Sequence, residues 1–139
     1  MILLDTGPVV ALCDPRDGLN RIALRDLERV SRDPLVLCTP VMTEVCFLLS
    51  HAVHRARLER MIGELSIRAY RDDDAAGLWG EVFRWMADYR EHEPDWSDGY
   101  LAVISGKNRH CKLWTYDREF RTIWRRPDST AIPLATRRS

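Results

Sequence analysis

Asp5, Glu44, Asp98 and Asp117 stand out among the 139 residues for where they fall in the chain. Asp5 closes the apolar run Met1-Ile2-Leu3-Leu4, and Asp117 comes just after the apolar segment 111–115. Glu44 lies on or beside an apolar stripe formed by Val41, Val45, Leu48 and Leu49, where an unpaired charge would be costly and something cationic should meet it. Asp98 opens a segment whose Leu101, Ala102 and Ile104 read as buried. Carboxylate oxygens are hard donors suited to Mg²⁺ or Mn²⁺. Cations held this way keep water ligands and also take phosphate oxygens, so one can lower the pKa of an attacking water while one or two stabilise a pentavalent transition state. The matching chemistry is phosphodiester hydrolysis without a covalent intermediate.

The elements that must position these acids alternate between strands and helices. Residues 1–4 read as a buried strand, and Asp5-Thr6-Gly7-Pro8 as the turn after it. A helical turn or two over 9–13 stops at Asp14-Pro15. Residues 16–32 then place Leu19, Ala23, Leu27 and Val30 at helical spacing. A second strand over 34–38 leads to Thr39-Pro40, an N-cap and first helical residue, and a helix to about 53. Another helix covers 54–65, and 66–70 is a weaker strand. A long helix over 72–90 has Leu78, Val82, Trp85, Met86 and Tyr89 on one face. The loop 91–94, a helix over 95–107, a strand over 111–115, a short helix after Asp117 and a last strand over 130–134 complete the chain. Such alternation predicts a single three-layer α/β/α domain over residues 1–139, with a mostly parallel sheet of four or five strands. In that architecture the carboxyl ends of the strands border the ligand crevice, so Asp5 and Asp117 can converge there.

Each acid also has a purely structural reading. Asp5 could cap its turn, Asp117 the short helix after it, and Asp95 the helix that Asp98 begins. Asp98 could complement that helix's dipole, and Glu44 could pair with an arginine. Jointly, four acids at strand ends and helix starts favour one metal pocket. Other chemistries lack their motifs. Neither G-x-G-x-x-G nor G-K-[ST] is present, and no Ser or Cys partners His51, His54, His92 or His110 in a triad pattern.

Hydrophobic residues make up 45% and charged residues 30%, the balance of a soluble globular domain. Cys13, Cys38, Cys46 and Cys111 show no zinc-ligand spacing and read as reduced and buried. No apolar stretch is long enough to span a membrane, and the N-terminus has no basic signal region, so the expected location is the cytoplasm. Formal net charge is zero but unevenly spread. Acids dominate residues 72–98, and bases, Arg138 among them, dominate from Lys107 onward. Lys107 and Lys112 are the only lysines among 21 basic residues, and arginine suits bidentate phosphate contacts. On charge alone, two solvated surfaces would account for this pattern.

Four segments, in order, carry a family resemblance: Asp5-Thr6-Gly7-Pro8-Val9-Val10-Ala11-Leu12, Thr39-Pro40-Val41-Met42-Thr43-Glu44, Asp95-Trp96-Ser97-Asp98, and Leu113-Trp114-Thr115-Tyr116-Asp117-Arg118-Glu119-Phe120. Together they resemble the PIN-domain family over nearly the whole chain, and within it the VapC-like toxins of prokaryotic toxin–antitoxin pairs. The resemblance implies an endoribonuclease dependent on Mg²⁺ or Mn²⁺, with RNA as substrate, a cognate antitoxin and a homodimeric state. It makes Asp5, Glu44, Asp98 and Asp117 the acidic ligands and Thr6 and Thr115 their hydroxyl supports, with Asp95 secondary. Gly99 departs from the family, which usually has Ala there; glycine inside a helix costs up to about 1 kcal/mol and puts local order in question. Trp96 and Trp124 are the aromatics to test against RNA bases, whereas Trp79 and Trp85 read as core or dimer surface and Trp114 as core. Arg118, Arg121, Arg125 and Arg126 follow the fourth acid and are the candidate phosphate contacts.

Two other readings compete. One is a PIN fold turned into a catalytically silent binding or scaffold module, which the intact acids disfavour. The other is a haloacid dehalogenase-type phosphatase, which needs a second Asp where Gly7 stands.

Overall fold

The computed structural model describes residues 1–137, so Arg138 lies outside the described residues. Four short strands form one all-parallel sheet: β1 (Ile2–Leu4), β2 (Leu35–Leu37), β3 (Arg68–Ala69) and β4 (Lys112–Trp114), in the order β3-β2-β1-β4. β1 and β2 are buried along their whole length, which is why they read as unbroken apolar runs. The chain fills the sheet outward from β1 to β3 and then crosses to set β4 on the other side of β1. The strand order therefore switches beside β1, where such sheets open a crevice at their carboxyl ends.

Seven α-helices connect and cover the sheet in a three-layer α/β/α arrangement: α1 (Thr6–Cys13), α2 (Asn20–Val30), α3 (Thr39–Leu48), α4 (Ala52–Glu64), α5 (Ala75–Asp88), α6 (Trp96–Lys107) and α7 (Glu119–Thr122). α1 begins directly after β1 and is buried nearly all round, so it starts earlier than 9–13. α2 is shorter than 16–32 because Asp14 and Asp17 use their carboxylates on the amides of Arg16 and Leu19, which makes turns. Leu19 is exposed, and Ala23 and Val30 hold the buried face. The helix from Thr39 ends at Leu48 and the next starts at Ala52; Val41, Val45 and Leu49 are buried, but Leu48 is not. α5 is capped by Asp74, which accepts the Gly77 amide at 3.0 Å. The loop after it contains a 3-10 turn at Arg90–His92.

No fifth strand forms over 130–134. That stretch makes only isolated bridges, Leu134 with Leu113 and Ala131 with Arg125. Pro133 lacks the amide that a continuous ladder needs.

α6 is the central helix, buried from Gly99 to Ser105 against the sheet and α5. Gly99 sits where α5 comes closest. A β-carbon there would stand 3.0 Å from both Trp85 Cε3 and Val82 Cγ1, and 3.2 Å from Met86 Cγ. The glycine is thus a packing requirement, and α6 is regular helix through it. Trp85 has little room to yield. Its Nε1 donates to the Arg125 carbonyl at 2.8 Å, and its ring packs against Trp124 and Tyr89 with centroids 5.3 and 4.5 Å apart. Trp124 is 1% exposed in this cluster, so it is core and not an RNA contact as the sequence suggested.

Gly99→Ala should therefore lose more to overpacking than it gains in helix propensity. A loss of about 1–2 kcal/mol would lower Tm by roughly 3–8 °C. An unchanged or higher Tm by calorimetry would show that α5 can shift freely.

Candidate active site

β1 delivers Asp5 to the crevice, and its neighbour β4 delivers Asp117. Asp5 is 8% exposed and caps α1, accepting the Thr6 amide on Oδ1 at 2.8 Å. Thr115 Oγ1 donates to Asp5 Oδ2 at 2.6 Å and accepts the Asp117 amide at 2.9 Å. One buried hydroxyl thereby joins the ends of β1 and β4. Asp117 Oδ1 accepts the Glu119 amide at 2.9 Å in the turn before α7, whose N-cap position is Arg118 and not Asp117.

α3 and α6 bring the other two acids. Asp98 is the third residue of α6 and forms a capping box with Asp95, whose amide donates to Asp98 Oδ2 at 3.0 Å. Asp95 itself is exposed. Glu44 is half-buried on α3, and the group that meets it is neutral: Ser97 Oγ donates to Glu44 Oε2 at 2.9 Å. Ser97 is 5% exposed and pins α6 to α3. Sequence reasoning quoted this serine only as part of a motif; its place between Asp95 and Asp98 at a helix start was the available signal.

Asp5 and Asp98 feel the neighbouring acids. Burial pushes the Asp5 carboxyl up to about 6, and the charges of Asp117 and Glu44 add to the rise against the lowering bonds from Thr115 and Thr6. Burial likewise pushes Asp98 up to about 7, with Asp95, Asp5 and Asp117 adding to it and the Asp95 amide opposing. Among the described residues no Arg, Lys or His forms a salt bridge with any of the four. Buried carboxylates that repel one another and lack an internal cation are a site for an external one.

The donor set fits Mg²⁺ or Mn²⁺, being all hard oxygen. The Thr6 hydroxyl supports the fit: it is buried with no protein partner, next to Asp5. Among the described residues no three His, Cys, Asp or Glu side chains are grouped closely enough to hold a metal ion together, so the acids do not form a preassembled ligand set. Each acid spends at least one oxygen on a local hydrogen bond, so a bound ion would complete its shell with water or substrate oxygens.

Beside the acids lies a cleft of about 860 Å³ whose walls include Glu44, Asp95, Ser97, Phe47, Trp79 and Trp96. Phe47 and Trp79 are 82% and 55% exposed, and Trp96 packs against Phe83 with centroids 4.9 Å apart. The arginines divide. Arg118 is exposed directly after Asp117, and Arg121, also exposed, donates to the Arg137 carbonyl. Arg125 binds the carbonyls of Arg121 and Trp124, and Arg126 is buried on Ser105 and the Arg109 carbonyl. Arg126 is therefore a structural residue and not a phosphate contact, correcting the sequence expectation.

No family model matches the chain, and neither does any curated protein. Among solved structures, VapC20 of Mycobacterium tuberculosis, described as a sarcin-ricin loop cleaving toxin, superposes with a TM-score of 0.71. The match covers 88% of this chain and 94% of that one at 23% identity. The fold is PIN-like. Within the PIN-like fold, the acids gather at the switch between β1 and β4, with α6 and α3 closing the crevice.

The raised carboxyls give a pH signature to the metal-free protein. The folded state keeps protons on Asp5 and Asp98 that the unfolded chain has already lost above about pH 4. Their destabilising effect therefore grows as pH rises from about 4 to 7 and is complete above that. For Asp5 it is about 3 kcal/mol. Asp5→Asn keeps an N-capping oxygen, so at pH 8 in EDTA it should raise Tm by several degrees, with the gain vanishing near pH 4. Mn²⁺ should raise the wild-type Tm at pH 8 and the variant's less. A variant Tm below wild type at pH 8 would contradict this electrostatic account.

Proposed function

We propose that the protein is a metal-dependent endoribonuclease of the VapC-like PIN family, the toxin half of a toxin–antitoxin pair. The observation that carries this reading is the raised carboxyls of Asp5 and Asp98, which feel the acids around them with no salt-bridged cation among the described residues, at the switch point of the sheet. Asp5, Glu44, Asp98 and Asp117 are the residues that would hold Mg²⁺ or Mn²⁺. When bound, such a cation supplies positive charge for the scissile phosphate and lowers the pKa of an attacking water.

The protein's own groups do the positioning. Thr115 orients Asp5 through its hydroxyl and the Asp117 backbone through its oxygen. Ser97 fixes Glu44, and Asp95 holds Asp98 at the start of α6. Arg118 and Arg121, exposed after the fourth acid, are placed to meet phosphates, and Trp96 in the adjoining cleft can stack on an unpaired base. The exposed aromatics Phe47, Trp79 and Phe83 offer an apolar surface for a protein partner, either the antitoxin or a second copy. No helix among the described residues is long and apolar enough to cross a membrane.

Cleavage of a panel of structured RNAs with Mn²⁺, Mg²⁺ or EDTA tests the reading. The expected result is metal-dependent cutting that Asp5→Asn and Asp98→Asn each reduce by at least 100-fold, about 3 kcal/mol of transition-state stabilisation. Variants that cut as fast as wild type would move the site elsewhere. Absence of both cutting and Mn²⁺ binding would favour a silent scaffold on the same fold.

A further inference from the structure

A second charged feature runs along the outer edge of the sheet. Between α2 and the segment after Pro133 lies a cavity of about 520 Å³ that also reaches Lys112 at the start of β4. Among the described residues its walls carry Arg25, Arg29, Lys112 and Arg137, with Asp26 as the single carboxylate. Asp26 is 5% exposed and already engaged. Tyr116 Oη donates to its Oδ2 at 2.7 Å, and Arg25 and Arg29 approach its Oδ1 at 3.4 and 4.0 Å. The two arginine side chains stay 57% and 63% exposed, so most of their donors remain available. Among the described residues no carboxylate forms a salt bridge with Lys112 or Arg137.

The cavity has a direction. Leu134 bridges Leu113 in parallel, and the Ala135 amide donates to the Leu113 carbonyl, so this segment climbs with β4 toward its carboxyl end. Tyr116, whose hydroxyl holds Asp26, immediately precedes Asp117. The cavity therefore leads from Lys112 to a strut that borders the acid crevice.

Four cations around one committed carboxylate make a concave site for a polyanion. The chain's net charge is zero, so attraction for a polyanion must come from such a local field. An RNA strand with its scissile phosphate at the acids has flanking phosphates to place, and carboxylates repel them. A positive cleft along β4, the strand that leads to Asp117, provides that place. We propose that it binds the backbone phosphates flanking the cut, with Arg25, Arg29, Lys112 and Arg137 as contacts. The proposal rests on the ribonuclease reading. Phosphate contacts carry no base identity, so the cleft would set affinity and register rather than sequence.

The test is binding of a fluorescein-labelled single-stranded RNA in EDTA, where the proposed nuclease does not cut, by anisotropy across a salt series. Lys112→Gln and Arg137→Gln are the main variants because neither touches Asp26; Arg29→Gln is the third, with its Tm measured to confirm folding. Each substitution should lower the slope of log affinity against log salt by about 0.7, which at 0.1 M salt is about a fivefold loss of affinity. Mn²⁺ affinity by calorimetry should match wild type. If wild type binds and cuts RNA while all three variants keep its slope, the proposal is wrong and the nuclease reading stands. If wild type neither binds nor cuts RNA, both fall.

Discussion

Bringing one buried and three half-buried carboxylates to the same end of the sheet is the constraint around which this molecule is arranged. Burial is the main cause that raises Asp5 and Asp98 above the ordinary carboxylate range, with Asp117 and Glu44 adding to the rise at Asp5 and Asp95, Asp5 and Asp117 adding to it at Asp98. The fold answers with short hydrogen bonds from neutral donors: the Thr6 amide, the Thr115 and Ser97 hydroxyls, and the amides of Asp95 and Glu119. Neutral donors hold a carboxylate in place without cancelling its charge. An arginine at any of these positions would stabilise the empty protein and occupy the place of a cation. The site thus keeps its negative potential at a cost in stability, an arrangement typical of sites built for a ligand rather than for the fold alone.

The rest of the architecture keeps these donors in place. Asp5 and Thr115 meet only because β4 lies next to β1. Glu44 and Ser97 meet only because the start of α6 lies against α3, and α6 can sit so deep because Gly99 lets α5 press onto it. Trp85, wedged against that glycine, is itself fixed by Trp124, Tyr89 and the Arg125 carbonyl. Core packing and site geometry are one structure here. Trp124, which the sequence offers as an RNA contact, instead packs with Trp85 and Tyr89 in the cluster behind the helix that carries Asp98.

Much of this was legible in the sequence. The strands β1 and β2 are short runs of buried apolar residues bounded by turn residues, and β4 is buried after its exposed Lys112; that signal survives without tertiary information. The acids were visible because each interrupts or ends such a run. What sequence could not supply were contacts between distant segments. Nothing local shows that Trp124 is covered by α5, or that Arg126 turns inward to Ser105. The long helix from residue 72 started at 75 because Asp74 works better as a cap than as a helical residue. Pro133 stopped a strand that alternation alone suggested. Gly99 read as a weakness by helix propensity and proved to be a fit, since propensity knows nothing of the neighbour 3.0 Å away.

The bond from Thr115 to Asp5 links residues 110 positions apart, and the bond from Ser97 to Glu44 spans 53. Contacts of such separation form only once the intervening chain exists and has folded. A chain still being synthesised holds Asp5 and Glu44 early, but it has no complete crevice until β4 has emerged and slotted beside β1 at the edge of the sheet. The reactive assembly is therefore timed by order of synthesis: it comes into being with the last strand, and a product truncated before β4 carries the first three acids without the pocket that unites all four.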